Sequence, residues 1–164
     1  MQNGQHIRSA FDKALEGIQA NMLKMGGLVE ANIISAAKAL EERDVELAEK
    51  VRERDRQIDN LEELINDGIS RFIAQESPVA TDLRVLLSIL KVSNNLERIG
   101  DHAKNTAKRT HVLLHLKDIE NSQAALRRLS KDVQLMLKDA LDAYIKRDAD
   151  LALDVIARDT EVDE

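Results

Sequence analysis

The sequence contains no cysteine and no tryptophan, a single proline at Pro78, and only three aromatic residues, Phe11, Phe72 and Tyr144. Without cysteine there are no disulfides, no thiolate metal sites and no thiol nucleophile, a usage that suits a reducing compartment. With so few aromatic rings there is no stacking platform for single-stranded nucleic acid. The formal net charge of −6 argues against sequence-independent binding to duplexes, which relies on clustered Lys and Arg. No apolar run approaches the ~20 residues of a membrane span, and the opening MQNGQHIRSAF has no signal-peptide core. A soluble cytoplasmic protein is expected, with no nucleic acid partner and no membrane span.

What is present is helix composition: Ala, Leu, Glu, Lys, Arg and Asp, with helix breakers nearly absent over long spans. From about Ile7 to Glu42, Phe11, Leu15, Ile18, Met22, Met25, Val29, Ile33, Ala36 and Leu40 step by three and four, a single apolar stripe on one long helix. Gly17, Gly26 and Gly27 interrupt that helix and read as close packing or a slight bend. Asp44 is a plausible N-cap for a second helix carrying Leu47, Val51, Ile58, Leu61, Ile65, Ile69 and Phe72. Ser77-Pro78 reads as a serine cap with proline at the first helical position, starting a third helix that runs to about Leu116. Long helices with short connections pack antiparallel, so a three-helix bundle is expected over residues 1–116.

The rest of the chain repeats the beginning. DADLALDVIARDTEVDE, from Asp148, aligns without gaps on DVELAEKVRERDRQIDN, from Asp44, with seven of 17 positions identical at an offset of 104. Residues 117–164 then form a partial second copy: Asn121 to Arg147 corresponds to the first helix, and Asp148 onward begins the second. The copy stops midway through that second helix. A helical hairpin buries too little surface to stand alone. It is expected to dock on the first bundle, to pair with another chain, or to mark a truncated gene product.

Four carboxylates are the candidate chemistry. Asp55 and Asp59 lie one turn apart on the second helix, as do Glu97 and Asp101 on the third. With the connecting turn centred near Ser77, the two pairs lie 20 residues before and 22 residues after it. At about 1.5 Å per residue, antiparallel helices would bring them within roughly 3 Å of the same level. Oxygen donors without thiolates suit Mg²⁺, Mn²⁺, Ca²⁺ or ferric iron. Acidic pairs on solvated faces are common in so charged a chain, and Arg54, Arg56 and Arg98 lie between these acids and could neutralise them. The repeat favours a role, because Asp159 and Asp163 reproduce the pair Asp55 and Asp59. His102 points about 100° away from Asp101. His111 and His115 have no evident acidic partner, and His6 is uninformative. Glu-x-x-His pairs, a phosphate-binding Gly-x-x-x-x-Gly-Lys loop and a cysteine nucleophile are all missing, so no enzyme is expected.

The stretch SPVATDLRVLLSILKVSNNLERIGDHAKNTAKR, Ser77 to Arg109, closely resembles the signature of the PhoU family. Its diagnostic pieces are Asp82-Leu83-Arg84, Leu90-Lys91-Val92, and Leu96-Glu97-Arg98-Ile99-Gly100-Asp101 followed by Ala103 and Asn105. The opening around Met25-Gly26-Gly27-Leu28-Val29-Glu30 is similar to the family's first helix. The resemblance implies two tandem three-helix bundles, here with the second incomplete. It implies a negative regulator of the phosphate-starvation response, an adaptor between a phosphate ABC transporter and a sensor histidine kinase at the inner membrane face. A homodimer is expected. The implied metal motif, Glu or Asp followed four residues later by Asp, falls on Asp55 with Asp59, on Glu97 with Asp101, and on Asp159 with Asp163. The last pair lacks its partner motif. Iron, manganese, magnesium or zinc are the ions implied. Alternatives are an accessory protein of a different phosphate carrier and a metal-free helical interaction module.

Overall fold

A computed structural model describes residues 2–117 and 122–163, with side chains described from Phe11 to Lys117 and from Ser122 to Thr160. Among the described residues there is no strand. The helices are α1 (Gln2–Glu42), α2 (Val45–Glu76), α3 (Ala80–Lys108), a single turn α4 (Thr110–Leu113), α5 (Ser122–Lys146) and α6 (Ala149–Asp163). None of them is long and apolar enough to cross a membrane.

α1, α2 and α3 pack against one another around a core drawn from the expected stripes. Met22, Met25 and Val29 of α1 meet Val51, Ile58, Ile65 and Phe72 of α2 and Leu86, Ile89 and Leu96 of α3. At one end Phe11 and Phe72 meet edge to face, with ring centroids 4.6 Å apart. Among the polar side chains buried in this bundle, Asn32 is fully paired. Asn32 donates to the Val51 carbonyl at 3.3 Å and accepts from Arg54 at 3.1 Å, so neither end of its amide is left unpaired.

The turn between α1 and α2 recurs between α5 and α6 at the 104-residue offset. Arg43 and Arg147 both take left-handed backbone, with φ of 55° and 54°. In each case the following aspartate closes the helix behind it, Asp44 N–H to the Ala39 carbonyl and Asp148 N–H to the Ala143 carbonyl, both at 2.9 Å. The same aspartate then caps the helix ahead, accepting from Leu47 N–H at 2.9 Å and from Leu151 N–H at 3.0 Å. One aspartate thus satisfies orphan groups of two helices, which offsets the left-handed arginine before it.

The turn between α2 and α3 differs from the one expected. Ser77 does not cap α3. It is the left-handed C-cap of α2 (φ 45°), with its N–H on the Ile73 carbonyl at 3.3 Å, and α3 begins at Ala80 behind Val79 with no side-chain cap. Proline excludes the residue before it from right-handed helix, so Pro78 ends α2 instead of opening α3. The third helix also stops at Lys108 and not near Leu116. The Thr106 hydroxyl donates back to the His102 carbonyl at 2.9 Å, and the Arg109 N–H turns to the Thr106 carbonyl three residues back. This competition for acceptors tightens and ends the helix.

The α5–α6 hairpin docks on the bundle through α5, which packs along α1, while α6 packs on α5 alone. Gly26 is why α5 can come so close: a Cβ there would stand 2.6 Å from Leu141. Gly17 and Gly27 face open space, so only one of the three glycines serves close packing. The Tyr144 hydroxyl and Ser88 Oγ of α3 lie 2.6 Å apart, and Arg127 reaches Glu41 at 3.1 Å.

Candidate metal centre

Asp55, Asp59, Glu97 and Asp101 line the seam between α2 and α3. The helices approach closely because Gly100 carries no side chain. A Cβ added there would lie 3.2 Å from Ile58 Cδ1 and 3.5 Å from Asp55 Oδ1. The four carboxyls differ in environment. Asp55 is buried, with 2% of its surface exposed, Glu97 and Asp101 are half-buried, and Asp59 is exposed. Asp55 Oδ1 is shut away from solvent without a hydrogen-bond partner, an arrangement costly for a carboxylate unless a cation is near.

That cation is Lys104. Its ammonium lies 2.5 Å from Asp55 Oδ2 and also donates to Asp101 Oδ1, pinning α2 to α3 across the seam. Sequence reasoning named Arg54, Arg56 and Arg98 as the neutralising candidates and missed this one. Arg54 turns the other way, to Asn32 and Ser35 of α1, and Arg56 and Arg98 are exposed. Arg158 makes the matching contact to Asp139 at 2.7 Å, 104 residues after the Arg54–Ser35 pair. The signal for Lys104 was available: it follows Asp101 by three and Glu97 by seven residues, which places it on their face of the helix. Glu62, three residues after Asp59, was also missed.

The patch is under-neutralised, the four carboxylates and neighbouring Glu62 against the one bridging ammonium, and its titration reflects this. Although Asp59 is exposed overall, partial desolvation of its carboxyl against α3 raises it above its ordinary 3.8, and the charges of Asp55 and Asp101 push the same way. Burial raises Glu97 above 4.5, with Asp101, Glu62 and Asp59 adding to it. Glu62 is raised by burial and by Asp59. Asp101 moves down, held there by the hydrogen bond from Lys104. For Lys104 burial works to lower the value, but the hydrogen bonds and charges of Asp101 and Asp55 outweigh it and the ammonium is held more firmly than usual.

A carboxyl raised in the folded state stabilises it when protonated. The contribution of Glu97 is therefore complete below 4.5 and is lost as pH rises through its elevated folded value. Asp101 behaves oppositely, its contribution being lost as pH falls through its depressed value. Glu97→Gln, which cannot ionise, should therefore gain stability relative to wild type as pH rises from 4.5. Urea denaturation over a pH series measures the difference. A difference independent of pH would mean that Glu97 carries no destabilising charge.

As donors these residues fit a hard cation: oxygen only, on two rigid helices, with one buried carboxylate oxygen lacking a partner. The cage is not ready-made, since among the described residues no three acidic or imidazole groups already close on one ion position. Elsewhere, Asp159 is exposed on α6, and the side chain of Asp163, the other half of the second pair, lies outside the described residues. His102 and His115 are exposed. His111 does have an acidic neighbour, contrary to expectation, with Glu49 Oε1 at 3.5 Å from its Nε2.

A model of the PhoU domain matches residues 22–110 and 126–164. The chain is 40% identical over 158 residues to the phosphate-specific transport system accessory protein PhoU homolog of Pseudomonas aeruginosa, an alignment covering 96% of this chain and 65% of that protein. It is 37% identical over 160 residues to the homolog of Caulobacter vibrioides, covering 98% and 70%. The crystal structure of PhoU from Pseudomonas aeruginosa matches with a TM-score of 0.88 at 40% identity, over 93% of this chain and 73% of that one. The phosphate transport system regulatory protein PhoU from Streptococcus pneumoniae matches with a TM-score of 0.82 at 31% identity, over 93% and 72%. Against the Pseudomonas relatives the chain spans just under two thirds of their length, 65% and 62%.

Proposed function

We propose that this chain, which belongs to the PhoU family, is a regulatory accessory protein of a phosphate transport system. It would act on the cytoplasmic side as an adaptor between a phosphate ABC transporter and a sensor histidine kinase, restraining the starvation response when phosphate is ample. The observation that carries this reading is the identity of 40% over 158 residues to a protein named for that transport system. The architecture agrees with an adaptor: long helices and a large charged surface. In a host lacking its own copy, expression of the chain should restore repression of a phosphate-starvation reporter in phosphate-replete medium. Continued derepression with the protein present and folded would refute it.

The second part of the proposal is that a multivalent cation binds the α2–α3 seam through Asp55, Asp59, Glu97 and Asp101. What supports it is the all-oxygen donor set together with the unpartnered, buried Oδ1 of Asp55. Replacing both Glu97 and Asp101 with alanine should abolish metal uptake while circular dichroism stays helical, because both side chains lie at the rim of the core. Unchanged metal content after dialysis would move the ion elsewhere. The competing reading is a metal-free interaction module, favoured by the ammonium of Lys104 already bridging Asp55 and Asp101.

A further inference from the structure

We propose that Lys104 is a tethered competitor for the seam: its ammonium holds the cation position in the metal-free chain, and a divalent ion enters only as the lysine swings out. This rests on reading the seam as a metal site and adds the element that controls its occupancy.

The geometry carries it. A cation bound between α2 and α3 must take Asp55, the only carboxylate of the four that is fully buried, and Lys104 Nζ stands 2.5 Å from that carboxylate's Oδ2. The same Nζ takes Oδ1 of Asp101. Metal and ammonium therefore compete for the carboxylates of Asp55 and Asp101. One ammonium against these carboxylates leaves an excess of negative charge, so a second charge on the occupant is favoured. The lysine is also able to leave. Its side chain retains 23% exposure, against 3% for Asp55, and its four-carbon stem is flexible, so the ammonium can turn out to water. The unpartnered Oδ1 of Asp55 is an acceptor that the lysine does not engage and that a coordinated ion could. Asp59 and Glu97 feel the charge of Lys104 without bonding to it, which leaves their oxygens free to contribute to a coordination shell.

A competing ammonium reduces apparent affinity by the fraction of molecules in which it has moved aside. If it stays closed in about nine molecules of ten, its removal tightens binding roughly tenfold. The test is titration of Mn²⁺ alone, followed by the loss of the free aqua-ion electron paramagnetic resonance signal. It compares wild type with Lys104→Met and with Lys104→Gln, the latter keeping polarity should the former fold poorly. Affinity should rise about tenfold or more in both variants. In wild type, saturating Mn²⁺ should also increase acylation of Lys104 by an amine-reactive ester, read by peptide mass spectrometry, with Lys38 and Lys146 unchanged as internal standards. Equal or weaker binding in the variants overturns the competitor role while leaving the metal reading intact. No binding by any form overturns both.

Discussion

Lys104→Met should destabilise the metal-free protein by about 3 kcal/mol, and a divalent cation should return most of that loss. Removing one partner of a buried ion pair costs roughly 3–5 kcal/mol, because it leaves an uncompensated charge out of water. Asp55 is such a charge, with only 3% of its side chain exposed. The lower end of the range applies because Lys104 keeps 23% exposure and Asp101 keeps 45%, so water relieves part of the loss. Methionine retains the length and most of the packing of the lysine stem, which isolates the charge. A ligand that binds only the folded state adds about 2.7 kcal/mol at a hundredfold excess over its dissociation constant. Urea denaturation of both proteins with chelator and with Mn²⁺ measures the two effects together. A variant as stable as wild type in chelator would show that the ammonium does not hold the seam together.

Ile58→Ala should cost about 2–5 kcal/mol in either metal state. Ile58 is fully buried, lies one turn beyond Asp55 on α2, and fills the space opposite Gly100 of α3. Its truncation removes apolar contact and leaves a cavity, both on the packing side of the site and not on its charged side. The loss should therefore appear as a lower denaturation midpoint with an unchanged denaturant slope, and Mn²⁺ should not selectively repair it. That pattern separates it from the lysine variant. A cost below 1 kcal/mol would mean that the α2–α3 interface collapses around the gap, and that the seam is less rigid than a preorganised site requires.

The extent of the sequence reading follows from what each kind of signal depends on. The apolar stripes were legible because a helix that must bury one face repeats its residues at a fixed spacing, and Met25, Val29, Ile58 and Ile65 are buried as that spacing requires. The matching level of Asp55 on α2 and Asp101 on α3, which Lys104 bridges, was legible because two straight helices joined by a short turn have their levels fixed by counting residues. Asp44 was legible as a cap, and its counterpart Asp148 appears in the same role. Ser77 misled because a serine before proline suits two geometries, and only the backbone decides between capping the next helix and closing the last. Lys104 was hidden by sequence neighbourhood. The arginines adjacent to the acids drew attention, yet adjacency on a helix means facing about 100° apart, whereas the residue three positions on shares the face. The end of α3 at Lys108 had no glycine or proline to announce it; a single threonine hydroxyl, that of Thr106, competing for a backbone acceptor leaves a weaker mark.

The most direct test of the seam as a cation site is anomalous diffraction from crystals of the wild-type chain soaked in Mn²⁺. A peak should stand between α2 and α3, within coordination distance of Asp55 and of Glu97 or Asp101, with the ammonium of Lys104 displaced from Asp55. A manganese peak elsewhere on the surface, or saturating Mn²⁺ with Lys104 still bridging Asp55 and Asp101, would contradict it.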